Sequence, residues 1–334
     1  MEGLRFSIII PVYNSVRTIK ECLEAVYKQT YENYEVIIVD DCSKDNSIEI
    51  ASQFPCKIIK NDSNLGAAKT RNKGAKEASG DVLYFIDADT IPKPHVLEKL
   101  AAIFKMENPP AAVVGAYTSI TPVSDFYSKY QNFYTFFNHE KCQEGKIHWF
   151  WTACGAVKRD IFFEMGKFNE RYTGASAEDM HMGYDLSIAG YEIILDKSIE
   201  VTHLHHHSFK SIIKNDLKKS AAWCQLFLEK NRGNKFKHGF TGPRNLISML
   251  SAYLIVLSFL VSIFIPFLWA VFSLGLLIFI GTNLAFFKFI MENTNFYFLV
   301  KGILFHLVVN LIIPFGISLG IINFVRCSFV TRKR

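Results

Sequence analysis

Asp87 and Asp89 stand one residue apart at the end of the apolar run Val82-Leu83-Tyr84-Phe85-Ile86. A run of that length, rich in β-branched and aromatic residues, reads as a buried strand. Open α/β sheets bind ligands beyond the carboxyl ends of their strands, which is where this carboxylate pair falls. Two hard oxygen ligands suit Mg²⁺ or Mn²⁺, and such an ion suits a diphosphate. An Asp-x-Asp after a strand is also a common turn or helix cap. A second pair, Asp40-Asp41, closes a second apolar run, Glu35 to Val39. Acidic pairs after two separate strands argue for one shared crevice.

The elements that must position these groups alternate. Phe6 to Pro11 reads as a strand closed by Pro-Val-Tyr-Asn, and Ser15 as the cap of a helix carrying Val16, Ile19, Leu23, Val26 and Tyr27 on one face. After the strand at 35–39, Ser43 or Asp45 can cap a second helix, and Lys57 to Ile59 is a short third strand. Asn64-Leu65-Gly66 then opens a helix to about Ala78, ahead of the strand at 82–86. This βαβαβαβ rhythm calls for a mostly parallel, doubly wound α/β sheet. The first strand is not followed by G-x-G-x-x-G, which counts against a Rossmann dehydrogenase.

Taken in order, the motifs resemble family 2 glycosyltransferases of the GT-A fold. They are Phe6-Ser7-Ile8-Ile9-Ile10-Pro11-Val12-Tyr13-Asn14, Glu35-Val36-Ile37-Ile38-Val39-Asp40-Asp41-Cys42-Ser43, Asn64-Leu65-Gly66 with Arg71-Asn72-Lys73-Gly74, Gly80-Asp81 and Asp87-Ala88-Asp89. The resemblance spans about residues 5 to 205 and implies a Rossmann-like catalytic domain that takes a nucleotide-sugar donor, a UDP-sugar first. It implies that Pro11 and Tyr13 line the base pocket, that Asp41 accepts from the base N–H and that Asp40 supports the turn. Asp87 would lie near the ribose, and Asp89, with Asp87 beside it, would hold the Mg²⁺ or Mn²⁺ that bridges the diphosphate. Gly66 would allow close backbone approach to the nucleotide. Arg71 could pair with phosphate or with a sheet carboxylate.

Further on, Gly166-Lys167-Phe168-Asn169-Glu170 resembles the family's Gly-x-Phe-Asp-Glu turn, and Ala177-Glu178-Asp179-Met180 follows at a helix start. The resemblance implies that Asp179 is the base that deprotonates the acceptor and that Glu178 orients a neighbouring group. Acids at a helix start also simply favour its positive end. Trp149 and Trp151 either stack on an acceptor or fill the core. Within Glu200-Val201-Thr202-His203-Leu204-His205-His206-His207, His203 best matches a histidine that completes the metal shell in related sequences. If the strand continues, His203, His205 and His207 share a face; His206 and His207 read as surface or interfacial.

The 334 residues are half apolar with a net charge of +6, but the apolar residues are unevenly spread. From Leu246 to Val325 the only charged side chains are Lys288, Glu292 and Lys301. This stretch reads as an all-α transmembrane region, with Pro266 dividing Leu246–Phe287 and a third span at Phe298–Val325 carrying Pro314 and Gly316. Asn310 reads as helix-packing glue. Ahead of it, Phe209 to Leu228 has apolar residues at helical spacing with Lys210, Lys214, Lys218 and Lys219 largely off that face, a basic amphipathic helix for the headgroup layer or for the catalytic core. The expected division is a catalytic domain at 1–207, an interfacial helix and linker at 208–245, transmembrane helices at 246–325 and a basic tail at 326–334.

Lys230, Arg232, Lys235, Lys237 and Arg244 place the catalytic domain in the cytoplasm by the positive-inside rule, although three spans would put Arg326 and Arg332–Arg334 outside. The start of the chain lacks the apolar stretch of a signal peptide, and seven scattered cysteines without C-x-x-C spacing argue against a disulfide framework or zinc site. Basic residues near the membrane fit anionic headgroups rather than nucleic acid. The expectation is an integral membrane protein of the cell membrane, acting on a lipid, lipid-linked glycan or polysaccharide hydroxyl. A polyprenyl-phosphate glycosyl synthase and a non-catalytic membrane scaffold are the alternatives.

Overall fold

In the computed structural model, which describes residues 3–119, 121–172, 176–230 and 242–331, the carboxylate-tipped run is a strand with the expected bounds, β4 (Val82–Ile86), buried along its whole length. Beside it lie β1 (Phe6–Val12), β2 (Tyr34–Asp40) and β3 (Lys57–Lys60). The order β3-β2-β1-β4 is parallel throughout, so all the acidic tips emerge at one edge.

The crossover helices are shorter than expected at their starts. Helix α1 (Ile19–Val26) begins four residues after Ser15, because Ser15 donates its N–H to Ser47 Oγ and turns the chain by accepting from Thr18 and Ile19. Helix α2 (Ser47–Ala51) uses neither Ser43 nor Asp45 as its cap residue; Asp45 instead accepts from the Val16 and Ser47 N–H groups, knitting two loops together. Helix α3 (Ala67–Lys76) lies directly on the sheet, since a Cβ at Gly74 would come within 2.7 Å of Ile9 and 2.9 Å of Val39 side-chain carbons.

Beyond β4 the sheet departs from the expected mostly parallel pattern. The remaining strands are β5 (Thr90–Pro92), β6 (Ala112–Tyr117), β7 (Gly145–Ile147), β8 (Cys154–Lys158) and β9 (Ile193–His203). The order continues β4-β8-β6-β9-β5, with β7 also on β9. Strand β8 runs antiparallel to both β4 and β6, β9 is parallel to β6, and β5 and β7 are antiparallel to β9. Parallel pairing needs a crossover between strands; the rhythm that supplies crossovers ends with β4. Strand β9 is one long element that carries the chain directly to His203. Helices α4 (Val96–Phe104), α6 (Arg159–Glu164) and α7 (Glu178–Ile188) complete this part.

The chain divides into two compact units. The first comprises residues 1–124 and 142–206, and the second 125–141 and 207–334. Helix α5 (Phe126–Lys141), which the sequence reading placed inside the catalytic domain, therefore belongs with the helices. The reason is its side chains: Tyr130 and Phe133 are buried in a cluster with Ile212, Phe286, Ile290, Phe305 and Val309.

In the second unit, α8 (Phe209–Lys230) packs on α11 (Phe296–Thr331), where a Cβ at Gly316 would meet the Leu217 carbonyl at 2.7 Å and one at Gly320 the Cys224 Cβ at 2.8 Å. Among the described residues, three helices are long and apolar enough to cross a membrane: α9 (Pro243–Ser262), α10 (Leu268–Asn293) and residues Phe296–Arg326 of α11. Pro266 falls between α9 and α10, as its place in the sequence suggests. Asn310 is not the cross-helix bond expected; its amide donates to the His306 carbonyl one turn earlier. His306 makes the crossings instead, through Tyr130 Oη at 2.6 Å and Asn283 Oδ1 at 3.0 Å, and Asn283 passes a bond on to Ser248 Oγ at 2.7 Å. The basic residues Arg232, Lys235 and Lys237 and the tail Arg332–Arg334 lie outside the described residues.

Candidate active site

The nucleotide-side residues meet where β1 and β2 end. The Asp41 N–H continues the ladder by donating to Val12 O at 2.8 Å. Its buried carboxylate accepts from Leu65 N–H at 2.7 Å and Asn61 Nδ2 at 3.0 Å on Oδ1, and from Gly66 N–H at 2.9 Å on Oδ2. A carboxylate offers about four lone-pair sites, so roughly one remains on Oδ2. Gly66 sits at φ 86, ψ 164, a conformation that suits glycine alone, immediately before α3. Asp40 Oδ1 accepts from Ser43 N–H at 2.9 Å and so holds the turn after Asp41. Pro11 is half-buried near the end of β1, and the Tyr13 ring one residue past the strand is 51% exposed.

The second group forms where β4 ends and β9 returns. The turn at 87–90 closes with Thr90 donating its N–H and hydroxyl to Asp87 O, and β5 then pairs with β9 so that Thr90 lies opposite His203. Leu204 N–H donates to Asp89 O at 2.7 Å, which fixes the other side. Asp89 Oδ2 is consequently 3.7 Å from His203 Nε2 and 2.7 Å from His205 Nδ1. Single ligand atoms of Asp89, His203 and His205 lie within 4.8 Å of one another. Burial alone would raise the Asp89 carboxyl, but the charge of His203 and the hydrogen bond from His205 outweigh it and hold the group at about 2.

His203 is ordered by a column of rings. Tyr117 stacks on it at 4.5 Å, Trp151 meets Tyr117 edge-on at 4.3 Å, and His205 is parallel to His203 at 5.6 Å. Trp151 thus supports the histidines, whereas Trp149 is buried against α7, where a Cβ at Gly183 would strike the Trp149 backbone. His207 does not join the group: it belongs to the second unit, where its N–H donates to Ser128 Oγ. After His203 the strand ends and Leu204 begins a loop, which brings in His205, a residue that the sequence reading placed on the face of His203 without assigning it to the metal.

The third group faces the acceptor side. Arg71, almost wholly buried on α3, donates from Nη2 to Asp87 Oδ1 at 2.6 Å and from Nη1 to Glu178 Oε1 at 3.0 Å. Of the alternatives for Arg71, the carboxylate pairing is the one observed. Glu178 Oε2 accepts from Ser176 N–H at 2.9 Å, so both its oxygens are engaged within a buried site. Asp179, the next residue of α7, is half-buried, and its Oδ1 accepts from Met180 N–H at 2.8 Å. Asn72, next to Arg71, clamps the Gly166–Glu170 turn by donating to Phe168 O and Glu170 Oε1 and accepting from Phe168 N–H. Gly166 and Lys167 adopt φ 83 and 69 in that turn, and Phe168 packs edge-on against Phe85 of β4 at 5.0 Å.

A sheet with four parallel strands, a split acidic crevice at their carboxyl ends and an antiparallel half beyond it is the GT-A type of nucleotide-sugar transferase fold. Residues 7–166, just under half of the chain, match the family described as glycosyl transferase family 2. An uncharacterised glycosyltransferase of Haemophilus influenzae is 43% identical over 104 residues, 31% of this chain and 35% of that protein. The match thus spans only about a third of that relative's length. Glycosyltransferase AglE of Haloferax volcanii is 27% identical over 234 residues, 66% of this chain and 74% of that protein. Among solved structures, the mannosyltransferase PcManGT of Pyrobaculum calidifontis, in complex with GDP-mannose and Mn²⁺, superposes with a TM-score of 0.59 at 17% identity, covering 96% of this chain and 88% of that one.

Proposed function

We propose that the chain is a membrane-bound, divalent-cation-dependent, inverting glycosyltransferase, moving a sugar from a nucleoside-diphosphate donor to a hydroxyl of a lipid, lipid-linked glycan or polysaccharide. The observation that carries this reading is the Asp89–His203–His205 group at the tip of β4. Its Asp89 Oδ1 is buried without a hydrogen-bond partner among the described residues, as an oxygen reserved for a cation would be. One carboxylate and two imidazoles also fit an ion softer than Mg²⁺, which favours all-oxygen sites, and so point to Mn²⁺. When bound there, the ion would offset the charge that develops on the leaving diphosphate.

The protein's own residues do the rest. The last lone pair on Asp41 is free to accept from a base N–H, the Tyr13 ring offers a face to the base, and the Gly66 loop admits the nucleotide to close approach. Asp87, 32% exposed beside Arg71, faces the ribose. Asp179 takes the proton from the acceptor hydroxyl as the new bond forms. A base opposite the departing diphosphate gives a single displacement with inversion. The three apolar helices hold the enzyme at the bilayer where a lipid-linked acceptor would lie.

The test is a thermal-shift screen of the full chain in detergent against UDP-sugars first and GDP-mannose second, with and without Mn²⁺. Binding to the folded state raises the midpoint by mass action. One donor should stabilise the protein only when Mn²⁺ is present. No shift with any donor in Mn²⁺ would sink the proposal.

A further inference from the structure

Arg71 is one cation shared by two carboxylates that come from opposite halves of the site. Asp87 lies just past β4, on the donor side, and Glu178 is the first residue of α7, on the acceptor side; they are 16 and 107 residues from Arg71 in sequence. Each takes a different arm of the guanidinium, at 2.6 and 3.0 Å. Glu178 is only 3% exposed, and its other oxygen holds the Ser176 N–H. A carboxylate so enclosed and so fully bonded is in no position to meet an acceptor. It does fix the start of α7, and Asp179 is the next residue.

We infer that Arg71 is a positioning residue that ties the base-bearing helix to the donor strand, with Glu178 as the anchor of that tie and not a proton acceptor. The inference deepens the reading of Asp179 as the base and rests on it. Arginine suits the task because its planar fork spans two acceptors in fixed directions, whereas lysine presents one compact charge. Cutting the tie frees α7 to shift, and a displacement of about 1 Å can cost about a hundredfold in rate.

The experiment is a cycle in the full chain: Arg71→Gln, Glu178→Gln, both together, and Arg71→Lys. Nucleotide affinity is read by calorimetry with UDP and GDP in Mn²⁺, turnover by release of nucleoside diphosphate from the donor that binds, and folding by urea unfolding. Glu178→Gln should lower turnover about ten- to a hundredfold and leave nucleotide affinity within about threefold, since only the acceptor side of the tie is lost. The double variant should turn over no more slowly than Arg71→Gln alone, because residues joined in one pair are non-additive. Arg71→Lys should fail to restore turnover although it keeps the charge.

Independent, multiplying losses in the double variant would overturn the tie, as would parental turnover in Arg71→Lys or Glu178→Gln. The same cycle read in urea unfolding must show coupling between Arg71 and Glu178, so a parent that releases no nucleotide still reports on the pair. Parental turnover in Asp179→Asn would instead overturn the base assignment, leaving the Arg71–Glu178 coupling to be judged separately.

Discussion

Gly66→Ala sets two opposing energies against each other. At φ 86 and ψ 164 the residue lies in a region that L side chains avoid, so a Cβ there costs about 1–3 kcal/mol. A lower unfolded-chain entropy returns about 0.4–1 kcal/mol of that. The loop could relax only by turning the Leu65 and Gly66 N–H groups away from Asp41, which now accepts from them at 2.7 and 2.9 Å. Bonds to a charged acceptor are worth about 1.5–3 kcal/mol each, so the pair outweighs the strain. The loop should therefore keep its shape and carry the strain. Urea unfolding should show a loss of about 1–2 kcal/mol, the net of the two backbone terms, and calorimetry with the donor in Mn²⁺ should show affinity lower by about tenfold or more, at least about 1.4 kcal/mol, because the new Cβ stands where the nucleotide comes close to the backbone. Unchanged stability would mean that residue 66 does not sit at positive φ. Intact donor affinity would mean that the nucleotide does not come close to the backbone at residue 66.

Asp89→Asn removes the only carboxylate of the candidate cation group, and should abolish Mn²⁺-dependent stabilisation by donor while the metal-free protein still folds; parental transfer in the presence of a chelator would refute the role. Asp179→Asn should cut transfer about a hundred- to ten-thousand-fold, as loss of a general base does, with donor affinity nearly unchanged; near-parental turnover would indicate an acceptor that is already ionised, a phosphate. The third concerns pH. The Asp89 carboxyl is depressed in the folded protein from 3.8 to about 2, so its contribution is complete above the unfolded value and disappears as the pH falls through about 2. About two units correspond to about 2–3 kcal/mol. In chelator, the gap in urea stability between parent and Asp89→Asn should therefore narrow between pH 5 and pH 2, and a constant gap would refute the charge pairing with His203 and His205.

What could be read from the sequence was local. β4 carries its own signal, a short apolar run that stops at an acid, and needs no distant partner to be recognised. The parallel half follows from the alternation of strand and helix. The antiparallel half does not, because its pairings join β4 to β8 and β5 to β9 across long stretches of chain. For the same reason Arg71 could be read two ways, since its partners lie far apart in sequence. Strand periodicity put His205 on the face of His203 but put His207 there equally, and since β9 ends at His203 it could not say which of them turns to Asp89. The place of α5 was hidden in another manner. Its aromatic residues repeat at helical spacing, but nothing local distinguishes burial against a sheet from burial among apolar helices.

That placement of α5 bears on the order in which the protein can be made. Strand β6 precedes α5, and β7, β8 and β9 follow it, so along the chain the strands of the sheet are interrupted by a helix that belongs to the other unit. A ribosome delivers all nine strands before it delivers α9, α10 and α11. The first unit can therefore finish its sheet early, while Tyr130 and Phe133 wait for Phe286, Phe305 and His306 to arrive. Until then the aromatic face of α5 has only α8, through Ile212 and Phe209, to cover it. A shortened enzyme cut off before α9 would remain in that half-made state permanently, so a soluble version calls for replacing the aromatic face of α5 as well as deleting the last three helices.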